Sequence, residues 1–112
     1  MPIVKISGKI VYFAHVPKCS GTAIVIYLTK AFGPLAFLDS TFNARPPHTR
    51  WTMTSPQHID ATTISTLFPP KFFDECFAVV RSPVARIVSA FRFQRDIEGL
   101  ISPDVTLSEW LT

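Results

Sequence analysis

The chain is poor in the residues that organise disulfide, metal and membrane proteins. It has two cysteines in 112 residues. They stand far apart, at Cys19 and Cys76, outside any CxxC pair and with no histidine at zinc-like spacing. A disulfide framework is therefore not expected, and a reduced, cytoplasmic setting is. No carboxylate cluster or His/Cys set has the spacing of a metal site, so no metal is expected. No uninterrupted apolar run reaches the ~18 residues of a membrane span, and no charged segment leads into a long apolar one. Lysine and arginine form no block or stripe, which argues against nucleic acid as a partner. The net charge of +3 and pI near 9.1 suit a small anionic ligand instead.

What the chain does have is apolar material and punctuation. A hydrophobic content of 47% with 10 phenylalanines can fill a core, which excludes global disorder. The 10 prolines separate the apolar runs rather than forming a tract of their own. At this length residues 1–112 are expected to form a single domain.

In chain order, residues 3–6 and 10–15 read as two strands around Ser7-Gly8-Lys9, a hairpin entering a sheet. Ile10 to His15 is apolar enough for a buried central strand. From Thr22 the spacing of Ala23, Ile24, Tyr27, Leu28 and Ala31 is helical, with Gly33-Pro34 as the stop and Lys30 in the last turn. Phe37-Leu38 could form a short strand, and residues 39–55, a candidate acceptor loop, carry no motif. A second helix opens behind Ser55-Pro56 or behind Asp60, two alternatives that the sequence leaves open, and ends at Pro69-Pro70. Phe77-Ala78-Val79-Val80 reads as a second central strand ended by Arg81. A helix follows, with Ser82 as N-cap, Pro83 at N1, and Val84, Ile87, Val88 and Phe91 on one face. Thr106 to Glu109 fits a capping box. The expected fold is α/β, a parallel sheet flanked by helices with its ligand crevice beyond the carboxyl ends of the strands. The last helix has room for only one turn, so the chain is expected to be the N-terminal part of a larger fold.

Two strand–turn–helix junctions carry the candidate chemistry. At the first, Pro17-Lys18-Cys19-Ser20-Gly21-Thr22-Ala23 places a lysine and small residues before a helix whose first N–H groups have no intrahelical partner. This is not the GxxxxGKS/T nucleotide loop, because Lys18 precedes Gly21 by three residues. An ordinary βα turn with a surface lysine would read much the same. At the second, Arg81 ends a strand and Ser89 follows about two helical turns later. Arginine can grip a phosphate bidentately and serine can add a donor, although a strand-end ion pair and a small helix residue would look alike. Two anion-ready turns suggest a ligand with two separated phosphates.

At these residues the chain resembles a known family. Phe13-Ala14-His15-Val16-Pro17-Lys18-Cys19-Ser20-Gly21-Thr22 looks like the HxPKxxGT 5′-phosphosulfate loop of the sulfotransferases that use 3′-phosphoadenosine 5′-phosphosulfate (PAPS), in particular the carbohydrate branch and its bacterial relatives. Val79 to Phe91, with Arg81, Pro83 and Ser89, is similar to the family's 3′-phosphate motif. The resemblance implies a P-loop-like α/β fold, with residues 11–23 as the 5′-phosphosulfate unit and 77–93 as the 3′-phosphate unit. It implies PAPS as sulfuryl donor, bound by Pro17, Lys18, Cys19, Ser20, Gly21, Thr22, Ala23, Arg81 and Ser89, and a hydroxyl-bearing acceptor such as a carbohydrate. Lys18 would stabilise the leaving phosphate, and His58, where several carbohydrate sulfotransferases carry a catalytic histidine, would be the base. Cys19-Ser20 departs from the more frequent Thr-Gly, and a glycine's freedom is lost at Ser20. Around this site His15 is expected to support the loop, His48 to be solvated, Arg86 to serve a structural ion pair, and Cys76 to lie in the core. Two rival readings remain: a PAPS-binding fragment without turnover, and a P-loop nucleotide phosphotransferase. The missing GKS/T tells against the second.

Overall fold

The structure, a computed structural model, describes residues 1–50 and 52–112. It divides into two compact units, Met1–Val79 and Val80–Thr112, each considered by itself.

The first unit is built on a hairpin. Strands β1 (Ile3–Ile6) and β2 (Lys9–Ala14) pair antiparallel, with Ile6 opposite Lys9 and Ile3 opposite Tyr12. The register leaves a two-residue turn, Ser7-Gly8, with positive φ at both positions (49° and 82°). That is the geometry matching the twist of the flanking strands. A third strand, β3 (Glu75–Ala78), pairs parallel to β2 from Val11–Glu75 to Ala14–Ala78. The order β1-β2-β3 makes β2 the central strand, and three consecutive buried residues, Val11, Tyr12 and Phe13, show that both its faces are covered. The parallel sheet expected from the sequence is therefore a mixed one: the parallel pairing holds for β2 and β3, and the hairpin adds an antiparallel edge.

Between β2 and β3 the described residues form helix α1 (Gly21–Phe32), three short 3-10 turns, and helix α2 (Ala61–Leu67). Gly33 ends α1 at φ 94°, ψ −169°, a conformation open almost only to glycine, while its N–H bonds the Thr29 carbonyl at 3.0 Å. Alternation along the strands sends Ile10, Tyr12 and Ala14 to one face. There, with Met1 and Ile3, they pack against Ile59, Ile64, Phe68 and Phe73. Of the two proposed starts for α2, Asp60 is the cap, its carboxylate accepting the Thr63 N–H at 2.7 Å. Ser55 instead opens a separate 3-10 turn, Pro56–His58.

Three further expectations change. The short strand at Phe37-Leu38 is absent; Ala36 makes a single bridge to Ile3 and Phe37 turns away at φ 57°. Strand β3 starts and ends two residues earlier than Phe77–Val80, so Arg81 lies beyond it rather than at its last position. The physical reason is its partner: β2 stops at Ala14, opposite Ala78, and no ladder remains for Val79 and Val80. Finally, β3 is an exposed edge strand, not a central one. Cys76, expected in the core, is exposed with it, because β2 offers one neighbour and no strand covers the other side among the described residues.

The stretch 39–50, motif-free in sequence, is organised around one buried ring, Phe42. Arg45 pairs with Asp39, while Arg50 donates to the Arg45 and Asn43 carbonyls and lies 5.0 Å from the Phe42 ring centre.

The second unit consists of helix α3 (Pro83–Asp96) and the short helix α4 (Leu107–Leu111), held together by Phe91 against Trp110 at 5.6 Å. Phe91 is the buried residue of the expected apolar face; Val84 and Ile87 on that face are exposed. The capping box expected at Thr106–Glu109 is present.

Candidate functional site

The backbone between β2 and α1 is bent by three successive devices. The Val16 N–H returns to the Ala14 carbonyl at 2.9 Å. Cys19 N–H then bonds Val16 O at 3.4 Å, which places Pro17 and Lys18 at the centre of a turn. Lys18 has φ 63°, and a positive φ after proline is the type II arrangement. Ser20 follows at φ 62°, ψ 22°, also left-handed. Two non-glycine residues in this region cost on the order of 1–3 kcal/mol each, and residues of this conformation curl backbone N–H groups into anion-binding concavities. Cys19 between them is 3% exposed and anchors the loop.

Helix α1 starts without help from a side chain. Its first intrahelical bond is Ile24 N–H to Ser20 O at 3.2 Å, so the N–H groups of Gly21, Thr22 and Ala23 have no carbonyl within the helix. Ser20 makes no capping bond, and no acidic residue lies in the first turn. Helices α2, α3 and α4 are all capped, by Asp60, Ser82 and Thr106. The positive end of the α1 dipole, three N–H donors and the half-buried Lys18 therefore sit in one short loop.

A histidine pair lies behind this loop. The ring of His58 stands edge-on to that of His15, centres 4.6 Å apart. His58 Nδ1 is 3.1 Å from the His15 carbonyl oxygen. A carbonyl can only accept, so Nδ1 carries the proton and Nε2 is the basic nitrogen, a tautomer assigned from its partners. The Gln57 amide reaches that Nε2 at 3.3 Å. Burial first, and the adjacent His58 second, hold the His15 imidazole below the ordinary histidine value, which keeps it neutral at neutral pH. The other edge of the His15 ring faces Gly21: a Cβ there would overlap Nε2 and Cε1 and stand 2.8 Å from Cδ2. The first unit thus brings Gly21, His15 and His58 together. The spacing of these residues gave no sign of this, because the contact joins the residue after β2, the start of α1 and a 3-10 turn 43 residues away.

In the second unit Arg81 is exposed and Ser82 caps α3, its hydroxyl accepting the Ala85 N–H at 3.3 Å. Pro83 has no N–H to offer. Ser89 is half-buried, seven residues beyond Ser82 and on the same helix face. Any anion held here depends on the Arg81 guanidinium and a hydroxyl rather than on an open helix end. His48 lies exposed in its own 3-10 turn.

Residues 3–103 match the sequence model of the sulfotransferase family. The chain belongs to that family. No curated protein and no solved structure matches it. Membership supports transfer of a sulfuryl group as the chemistry and a hydroxyl-bearing molecule as its acceptor. The α/β sheet with its flanking helices is consistent with a sulfotransferase domain fragment. Among the described residues no group of three or more His, Cys, Asp or Glu is placed to hold a metal, and no helix is long and apolar enough to cross a membrane.

Proposed function

We propose that this sulfotransferase takes its sulfuryl group from PAPS and delivers it to a hydroxyl of a carbohydrate or similar acceptor. The observation carrying this reading is the uncapped start of α1, with its left-handed Lys18 and Ser20, linked through Gly21 and His15 to a histidine whose Nε2 is basic. The loop fits an anionic group on chemistry as well as shape: it offers N–H donors and an ammonium, and no carboxylate stands in the first turn.

The donor supplies the reactive sulfur: an S–O bond forms to the acceptor oxygen as the S–O bond to the 5′-phosphate breaks. The N–H groups of Gly21, Thr22 and Ala23 hold the 5′ anionic group, while Pro17, Cys19 and Ser20 shape the loop. Lys18 neutralises charge on the departing phosphate. His58 Nε2 takes the acceptor hydroxyl proton, and its Nδ1–H stays on the His15 carbonyl throughout. Gln57 leaves Nε2 when the acceptor hydroxyl arrives. Arg81 and Ser89 are assigned the 3′-phosphate, which distinguishes this donor from ATP.

The test is transfer of radiosulfur from labelled PAPS to a panel of sugars, comparing the unsubstituted protein with Lys18→Ala. Transfer should fall by on the order of 10²–10³-fold, the usual cost of losing one charge-stabilising donor. Undiminished transfer overturns the assignment. A second reading is a donor-binding module without turnover. It is the outcome if the 3′,5′-bisphosphate product binds and no sugar is ever labelled.

A further inference from the structure

We propose that His15 is a positioning residue: it fixes the His58 imidazole in register with the loop at the start of α1, through its carbonyl on one side and its ring against Gly21 on the other. The inference rests on His58 being the base, and it adds how that base is aimed.

Three observations carry it. The His15 carbonyl accepts the Nδ1–H of His58 at 3.1 Å, which directs the lone pair to Nε2. The His15 ring stands edge-on to the His58 ring at 4.6 Å, so the base has a wall as well as an anchor. Gly21 then explains itself. Its backbone is not left-handed, so no conformational need calls for glycine. What calls for it is space, since a Cβ would overlap the His15 ring.

The ring has little freedom to yield. Phe13 lies on another side with ring centres 5.5 Å apart, is 1% exposed, and is itself stacked on Phe77 at 5.0 Å. A displaced His15 therefore moves toward the half-buried His58. The donor loop and the base are joined through one side chain, and a shift of the base by about 1 Å can cost on the order of 10²-fold in rate.

The test is a size-swap cycle read by kinetics and by histidine nitrogen NMR. His15→Ala should lower kcat about tenfold or more, with the donor KM and the bisphosphate affinity within about twofold of the unsubstituted protein. Gly21→Ala should lower kcat by at least as much and shift the His58 ring nitrogens. Adding Gly21→Ala to His15→Ala should cost no more than about twofold further, because the space is already vacant. In the double variant the His58 ring signals should match those of His15→Ala alone.

Losses that multiply in the double variant overturn the proposal, as does a His58 found protonated on Nε2 rather than Nδ1 in the unsubstituted protein. If no transfer is detected at all, the base assignment falls. The NMR arm of the cycle then still decides the positioning, because it reads ring geometry and not turnover.

Discussion

The two strand–turn–helix junctions look like repeats in sequence and differ in how they can hold an anion. Before α1, Ser20 is left-handed and caps nothing, so the N–H groups of Gly21, Thr22 and Ala23 have no side-chain cap and no carbonyl within the helix. Before α3, Ser82 is extended (φ −54°, ψ 140°), caps Ala85, and is followed by a proline without an N–H. The first turn leaves its backbone donors outside the helix ladder; the second is a finished helix end with an arginine beside it. A serine before a helix therefore has two opposite meanings, and its own φ decides which.

Five substitutions sharpen or break this contrast. The largest effect is expected from Arg81→Ala. It should cost the 3′,5′-bisphosphate about tenfold to a hundredfold in affinity, the worth of hydrogen bonds to a charged group, and leave the 5′-monophosphate unchanged. Calorimetric titration of both ligands measures it, and equal losses for the two would remove the 3′-phosphate from this turn. Next comes Ser82→Ala, which should lower stability by about 1 kcal/mol in urea denaturation through loss of the cap.

Ser20→Ala is the matched control. It should change stability by less than about 0.5 kcal/mol, since no cap is lost, whereas Ser20→Gly should raise it by up to about 1 kcal/mol by relieving the left-handed strain. A cap-sized loss in Ser20→Ala would erase the distinction between the turns.

The smallest expected effect is the acid sensitivity at the first turn. The folded His15 takes up a proton less readily than the unfolded chain. Its contribution is complete above the ordinary histidine value of 6.5 and is lost as pH falls through the lowered folded value. His15→Gln should therefore flatten the decline of the urea midpoint between about pH 7.5 and about pH 5.5. An unchanged decline would place the sensitivity elsewhere.

Much of the local structure was legible. The hairpin, the Gly33 stop, the Ser82 cap with Pro83 behind it, and the Thr106–Glu109 capping box follow from short-range stereochemistry, and they appear where the spacing puts them, except that β2 runs over Lys9–Ala14 rather than 10–15 and the turn is two residues. The misreadings lie where a partner decides. Phe77–Val80 has the composition of a central strand, but its extent is set by where β2 ends, and its burial by how many strands flank it. Likewise the polar 39–50 stretch gave no pattern because what orders it is a set of arginine contacts around Phe42, not a periodicity.

The site divides along the same line. Lys18, Gly21, Arg81, Ser89 and His58 were legible as candidates because motif and residue type announce them, and the family match covers that stretch. His15 was expected beside the loop, but its contacts with His58, the conformation of Ser20 and the placement of Gln57 were not legible. A left-handed φ at Ser20, the His15 carbonyl under His58, and the amide on Nε2 are matters of position across distant segments. By itself the sequence determined the chemical inventory, the α1 stop, the α3 and α4 caps and the family, since these depend on neighbours along the chain. Only the tertiary structure decided which donors stay unclaimed and which nitrogen of His58 is basic. Both depend on what a folded backbone brings within hydrogen-bond reach.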